Sequence, residues 1–389
     1  MATPRQITLL HRMTDAEVIA SLAAVKRNVQ ASTNDEGRTS PSDTENEGMI
    51  DRHPWTLTAL LLCVATRCGA DGLPDYAPTT SAMTGTLISV GSDTMEPLLN
   101  GWATAFKTHH PEVAFEIDAR GSGTAPDPLI ENRSQLAPMS RAMSDGELAH
   151  FEARYGYLPT HFRVALDAIA VYVHRGNPLE QLTLEQVDGI FSRLQACGGL
   201  PIVSWDQLTP NYRPETRDGP TERIQLVGRN RISGTYEFFR LHALCGGEFR
   251  GDYDDQSDSN HVVWAVANDP SAIGFAGLGH RTPSVKMLKL GRIDSGPFIG
   301  PARAEGDPSD ISNISSGRYP LSRFMYIYVN KPPGEALAPL VDEFLRFTLS
   351  EQGQRIVAER FFVPIDESVA RVQRAKFARD YERSWWQSD

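Results

Sequence analysis

The chain has 389 residues, of which 40% are hydrophobic and 22% charged, the balance of a globular protein of about two or three domains. Its 38 Lys and Arg against 49 Asp and Glu give a formal net charge of −11. That excludes a general nucleic-acid binder, which depends on clustered cations to displace counterions, but it leaves open local capture of a small anion by hydroxyls, amides and a guanidinium.

Residues 1–48 are polar and poor in core-forming side chains, dominated from Ala31 to Gly48 by Ser, Thr, Asn, Asp and Glu, and read as disordered or as a mis-assigned extension. At Met49 the character changes. A short charged segment precedes the apolar run Thr56–Ala65 and the small residues Gly69 and Ala70, the order of a secretory signal peptide over 49–70. The run is too short to span a bilayer, which takes about 20 residues. An exported chain would be cleaved near Ala70 or lipid-anchored at Cys68, although Arg67 is a poor neighbour for lipidation. Of the four cysteines, Cys197 and Cys245 belong to the folded body, either as one disulfide in an exported protein or as two buried thiols. No CxxC or Cys/His spacing suggests zinc.

Residues 71–84, rich in Pro, Thr and Ser, read as a linker. Regular structure begins at Thr86. A strand to Val90 meets the turn Gly91–Met95 and a helix from Pro97 to Phe106, whose apolar stripe is Leu98, Leu99, Trp102 and Phe106. The strand Val113–Ile117 leads to Gly121-Ser122-Gly123-Thr124 and a second helix start, with Pro126 and Pro128 in the first turn, where no intrahelical N–H bond is lost. Leu136–Met139 ends in Ser140-Arg141 before a helix start at Ser144. Phe162–His174 is a long apolar strand of the kind that runs through a core, and Thr183 caps an amphipathic helix.

The apolar run Ile224–Val227 then opens onto Gly228–Tyr236, with Arg229 and the turn Ser233-Gly234-Thr235 before a helix. Strand, Gly/Ser/Thr turn and helix thus recur at Gly91–Thr94, Gly121–Thr124 and Ser233–Thr235. Free N–H groups at a helix start, the helix dipole and flanking hydroxyls are an anion-binding layout, and an arginine offers a planar fork to an oxyanion. Neither a P-loop, with Lys before Ser or Thr, nor GxGxxG is present. Val262–Ala267 reads as a helix, and Ala272–Gly279 as a Gly-rich strand and turn. Further on come a strand at Tyr326–Asn330, helices at Leu337–Leu349 and Gln352–Arg360, and a charged tail.

In order and spacing, GSDTMEPLL, GSGT, MSRAMSDGEL, LTLEQVDGIFS, RNRISGTYEFF, AIGFAGLG, YPLSRFMYIYVNK and FTLSEQGQRIVAERFFVPI resemble the periplasmic phosphate-binding proteins of ABC transporters, the PstS-like branch of the substrate-binding proteins. The resemblance runs from about Thr86 to Ile365. It implies an α/β, two-lobed periplasmic-binding-protein fold: residues 85–173 with 320–378 as one lobe, 174–319 as the other, crossover strands between them, and 379–389 as a tail. It also implies an exported, periplasmic, non-catalytic monomer that needs no cofactor or metal, captures inorganic phosphate in the interlobe cleft, and delivers it to an ABC transporter permease in the inner membrane.

The phosphate contacts it implies are Thr94, Met95 through its backbone N–H, Ser122, Ser140, Arg141, Arg229, Ser233, Gly234 through its N–H, and Thr235. Ser140 stands where well-known phosphate binders carry an aspartate, and Arg231 where an aspartate often pairs with the ligand-binding arginine. The site is therefore expected to be more positive, with Asp93 or Asp167 as the missing acceptor. A sulfate-like oxyanion and a sensory module with a decayed site are the alternatives among binders. A phosphatase using Ser122 or Ser233 would need a base, and His109, His110, His161, His174 and His280 are scattered through the sequence.

Overall fold

The computed structural model describes residues 72–79, 83–216, 219–301 and 312–379. The expectations for residues 1–48, for the leader at 49–70 with Cys68, and for the end of the tail lie outside the described residues. In chain order, β1 (Gly85–Val90), α1 (Glu96–Phe106), β2 (Val113–Asp118), α2 (Pro126–Ile130), β3 (Ala137–Met139) and α3 (Asp145–Tyr155) make three strand, turn and helix units. The long strand β4 (Thr160–His174) follows, then β5 (Gln181–Thr183), α4 (Leu184–Phe191) and the short pair β6 (Glu215–Thr216) and β7 (Gly219–Pro220). After these come β8 (Gln225–Arg229), α5 (Gly234–Ala243), β9 (Tyr253–Gln256), α6 (Ser259–Asn268), β10 (Ala272–Gly277), β11 (Val285–Met287) and β12 (Lys289–Gly291). The described chain closes with α7 (Ser312–Ser315), β13 (Ser322–Val329), α8 (Pro339–Thr348), α9 (Glu351–Glu359) and α10 (Glu367–Ala375).

The local signals act as the sequence predicts. Leu98, Leu99, Trp102 and Phe106 are all buried on α1, and the Trp102 indole N–H donates to the Gly353 carbonyl at 2.8 Å, docking α1 on α9. Ser144 and Thr183 each form a capping box, with Glu147 and Gln186 three residues on. Ser233 caps α5 by accepting from the Thr235 N–H at 3.1 Å.

The sheets are organised around β4. Its first part, Thr160–Ala168, pairs antiparallel with β13, and its last part, Ile169–Val173, pairs antiparallel with β10. The strand order is β3-β13-β4-β10-β8-β9, with β11 also on β4, while β1 and β2 pair in parallel. A single isolated bridge, Ser89 to Leu136, sets β1 beside β3. With both faces covered, β4 reads as an almost continuous apolar run, and one apolar core passes along it from Trp102 and Phe344 to Phe239 and Phe275. The described chain is therefore a mixed α/β structure in which one strand serves two sheet regions.

Two features differ from the sequence reading or settle it. Residues 72–79 do not behave as a free linker. Leu73 and Tyr76 are buried, the Tyr76 N–H donates to Gln352 Oε1 at 2.6 Å, and the Glu351 N–H donates to Pro74 O at 2.9 Å. Proline and threonine content marks a segment without regular structure, but it carries no sign of the groove that receives it. The pairing left open in the sequence is resolved as a disulfide between Cys197 and Cys245, with Cα atoms 5.3 Å apart.

Candidate functional site

Four strand ends converge. Gly91 follows β1 with φ +158°, and a Cβ built on it would lie 2.2 Å from the Pro138 carbonyl oxygen. The next N–H, of Ser92, donates to that same oxygen at 2.8 Å, so the loops after β1 and β3 are tied backbone to backbone. Gly121, after β2, has φ +127°, and its Cβ would lie 2.8 Å from the Ile232 carbonyl oxygen, which accepts the Gly123 N–H at 3.1 Å. Here glycine is required for close approach as well as for conformation.

This convergence collects the hydroxyls. The Ser122 and Ser140 Oγ atoms lie 3.1 Å apart, and the Ser140 N–H donates to Ser122 Oγ at 3.0 Å. The Thr94 and Thr235 Oγ1 atoms lie 3.3 Å apart. Gly234 sits directly against the serines, because a Cβ there would be 2.3 Å from Ser122 Oγ and 2.5 Å from Ser140 Oγ. Thr94, Met95, Ser122, Ser140, Ser233 and Thr235 are all buried. Gly234 is the first residue of α5, so its N–H has no intrahelical acceptor and joins the positive end of the helix dipole. The Met95 N–H is held in the turn by Ser92 O at 3.2 Å.

Arg229, at the end of β8, is 1% exposed and belongs to the same place. Its Nη2 lies 2.6 Å from Asp93 Oδ2 and donates to Ser257 O at 2.8 Å, and Nη1 donates to Ser259 Oγ at 3.2 Å. Nε of Arg229 and Oδ1 of Asp93 are buried without a hydrogen-bond partner. Asp93 thus supplies the carboxylate for the site arginine. Arg231 does not enter: it lies in the turn two residues beyond Arg229, its side chain is 80% exposed, and its partner is Glu248 at 3.6 Å. The expectation that Arg231 makes the site more positive is therefore corrected.

Arg141 is not joined to the hydroxyl cluster by any of its hydrogen bonds. Its fork donates to both Glu147 carboxylate oxygens, at 2.7 and 2.6 Å, and Nη1 also donates to Ala142 O. Burial works against both charges, but the pairing raises the guanidinium above its ordinary value and holds the carboxyl below its own.

A buried cation bonded to the hydroxyl cluster escapes the sequence reading. Arg323, the second residue of β13, donates from Nε and Nη2 to Asp167 Oδ2 at 3.1 and 2.7 Å. The same Nη2 donates to Thr235 Oγ1 at 3.0 Å. The available signal was a lone charge inside the apolar run Leu321–Val329. His280 borders this pair, its Nδ1 2.9 Å from Asn260 Oδ1; burial lowers its basicity, with Asp167 opposing and Arg229 adding to the effect.

The arrangement presents hydroxyl and amide donors and two arginines, each matched by a carboxylate. Such a cluster suits a compact oxyanion bound by hydrogen bonds with little net charge from the protein. Neither serine hydroxyl proposed as a nucleophile is bonded to a histidine: Ser122 faces Ser140, and Ser233 caps α5. Among the described residues no group of three or more His, Cys, Asp or Glu could hold a metal, and no helix is long and apolar enough to cross a membrane.

Residues 77–352 match the model of the PBP superfamily domain. The chain is 41% identical over 323 residues to the phosphate-binding protein PstS of Pseudomonas aeruginosa, covering 81% of this chain and 96% of the relative. It is 26% identical over 318 residues to the phosphate-binding protein PstS of Bacillus subtilis, covering 80% and 93%. Among solved structures, a possible phosphate binding protein from Planctomyces limnophilus aligns with a TM-score of 0.53 at 26% identity, over 76% of this chain and 98% of that one. A putative phosphate ABC transporter substrate-binding protein with bound phosphate from Clostridium perfringens shares the fold, with a TM-score of 0.57 at 24% identity, over 72% and 100%. The chain belongs to the PstS phosphate-binding protein family, within the PBP superfamily.

Proposed function

We propose that the protein is the phosphate-capturing subunit of an ABC-type phosphate uptake system. Residues 85–173 with 320–378 form one jaw and 174–319 the other, and inorganic phosphate is held between them. The observation that carries the reading is the convergence of Thr94, Ser122, Ser140, Gly234 and Thr235 on one buried spot beside Arg229. In this reading the hydroxyls of Thr94, Ser122, Ser140, Ser233 and Thr235, the free N–H of Gly234 and the N–H of Met95, shared with Ser92 O, donate to the phosphate oxygens, and Arg229 supplies the compensating charge. Arg141 acts at the rim, where Glu147 holds it. Hinge closure excludes water and strengthens each bond. The protein works outside the cytoplasm, in the periplasm, and presents phosphate to the permease of its transporter. The Cys197–Cys245 bond supports that compartment, since structural disulfides persist where the environment is oxidising.

Calorimetric titration of residues 71–389 with phosphate tests the reading. Arg229→Ala should weaken binding about a hundredfold, because the anion loses its charge partner and Asp93 is left unpaired against it. Unchanged phosphate affinity in that variant would sink the assignment.

A further inference from the structure

Arg323 and Asp167 stand directly opposite each other in the β13–β4 register. One step further, Ser322 opposite Ala168, that pairing ends, and from Ile169 onward β4 pairs with β10. The ion pair therefore marks the point where β4 changes neighbours. Arg323 is 0% and Asp167 3% exposed, a costly place for charge, and apolar residues of similar volume would stabilise the strands as well or better. Stability alone is a weak reason for the pair.

What Arg323 does besides meeting Asp167 is reach across to α5. Its Nη2 donates to Thr235 Oγ1, the same oxygen that lies 3.3 Å from Thr94 Oγ1. A threonine hydroxyl has one proton to give. When its oxygen accepts from a guanidinium, that proton is turned away from Arg323 and is free to be given to the cluster side, the polarity an anion requires. Asp167 holds the guanidinium in place and cancels its charge, so this orientation is gained without a second uncompensated cation. Nη1 of Arg323 is also buried and has no partner, although buried donors in structural ion pairs are usually satisfied.

We propose that Arg323, anchored by Asp167 at the change-over point of β4, is a positioning residue of the anion site: it fixes the Thr235 hydroxyl as a donor and thereby links anion affinity to the strand that joins the two sheet regions. The proposal rests on the phosphate-site reading and deepens it.

The test compares wild type, Arg323→Met/Asp167→Asn, Thr235→Val, the combination of all three, and Arg323→Lys, each by phosphate calorimetry and by thermal unfolding without phosphate. Arg323→Met/Asp167→Asn removes both buried charges together, thermal unfolding reads whether the fold is kept, and phosphate affinity of the folded variant should fall about tenfold to a hundredfold. Thr235→Val should weaken binding similarly, and adding it to the double variant should cost little more, because both act through one hydroxyl. Arg323→Lys keeps a donor and should bind more tightly than the methionine variant. Wild-type affinity in the double variant, or fully additive losses with Thr235→Val, would overturn the role of Arg323 while leaving the phosphate site intact. A wild-type protein that does not bind phosphate would overturn the site reading itself.

Discussion

Asp93 Oδ2 and Arg229 Nη2 lie 2.6 Å apart, and the carboxylate comes from the very loop that carries Thr94. The site arginine is thus neutralised from across the site. Of the two carboxylates the sequence offered as acceptor, Asp167 directs one oxygen to two donors of Arg323, whereas Asp93 keeps Oδ1 buried and without a partner. An acceptor of that kind suits the proton of hydrogen phosphate, which fully ionised sulfate lacks, and its charge disfavours sulfate. Asp93→Asn should therefore narrow the preference for phosphate over sulfate about tenfold, read from competition titrations. An unchanged ratio would remove Asp93 from the selectivity argument.

The segment 72–79 is strapped to the body through Glu343. Tyr76 Oη donates to Glu343 Oε1 at 2.7 Å, the Thr79 N–H donates to it at 3.0 Å, and the Thr79 hydroxyl donates to Oε2. His110 Nδ1 accepts the Met83 N–H at 3.2 Å, which leaves Nε2 to donate to Tyr76 Oη at 2.8 Å. Burial pushes the Glu343 carboxyl up, but these hydrogen bonds outweigh it and hold it below its ordinary value of 4.5. A depressed carboxyl stabilises the fold above its unfolded value and loses that contribution as pH falls through the folded one. Glu343→Gln should cost about 1–3 kcal/mol at pH 7 in urea unfolding, with the gap to wild type closing below pH about 4. A gap that stays constant into acid would refute the charged strap.

Lys376 gives a pH dependence of the opposite origin. It follows α10 and donates from Nζ to His161 O at 2.6 Å and to Gln373 Oε1 at 2.9 Å. Burial, with Arg163 nearby, pushes its amine down from 10.5 to about 7. The unfolded chain keeps its proton up to the ordinary value while the folded one releases it from about 7, so between the two the unfolded state binds more protons and stability rises with pH. Below about 7 both states are charged and the burial cost is present in full. The unfolding midpoint of wild type relative to Lys376→Met should climb between those two values, and a flat difference would contradict the assignment.

Legibility from sequence divides by distance along the chain. Thr94, Ser122, Ser233 and Thr235 stood out because a strand, a Gly/Ser/Thr turn and a helix start all lie within about ten residues, where local rules apply, whereas Ser140 entered the set through the family resemblance. Arg323 could not, since Asp167, which makes its burial tolerable, is 156 residues away. Arg231 was weighted wrongly for a related reason: two residues of turn separate a buried strand end from solvent, and only the folded backbone shows on which side each falls. The docking of Tyr76 depends on Glu343 and Gln352 near the other end of the chain, which composition does not reveal.

The continuity of β4 carries a consequence for how the molecule comes apart. Two sheet regions joined only by loops would each be free to melt at their own temperature. Here a single uninterrupted strand pairs first with β13 and then with β10, so the two sheet regions share one backbone element. Unfolding of the strands around β4 is therefore expected as one cooperative transition, since the strand that ends one sheet region begins the next.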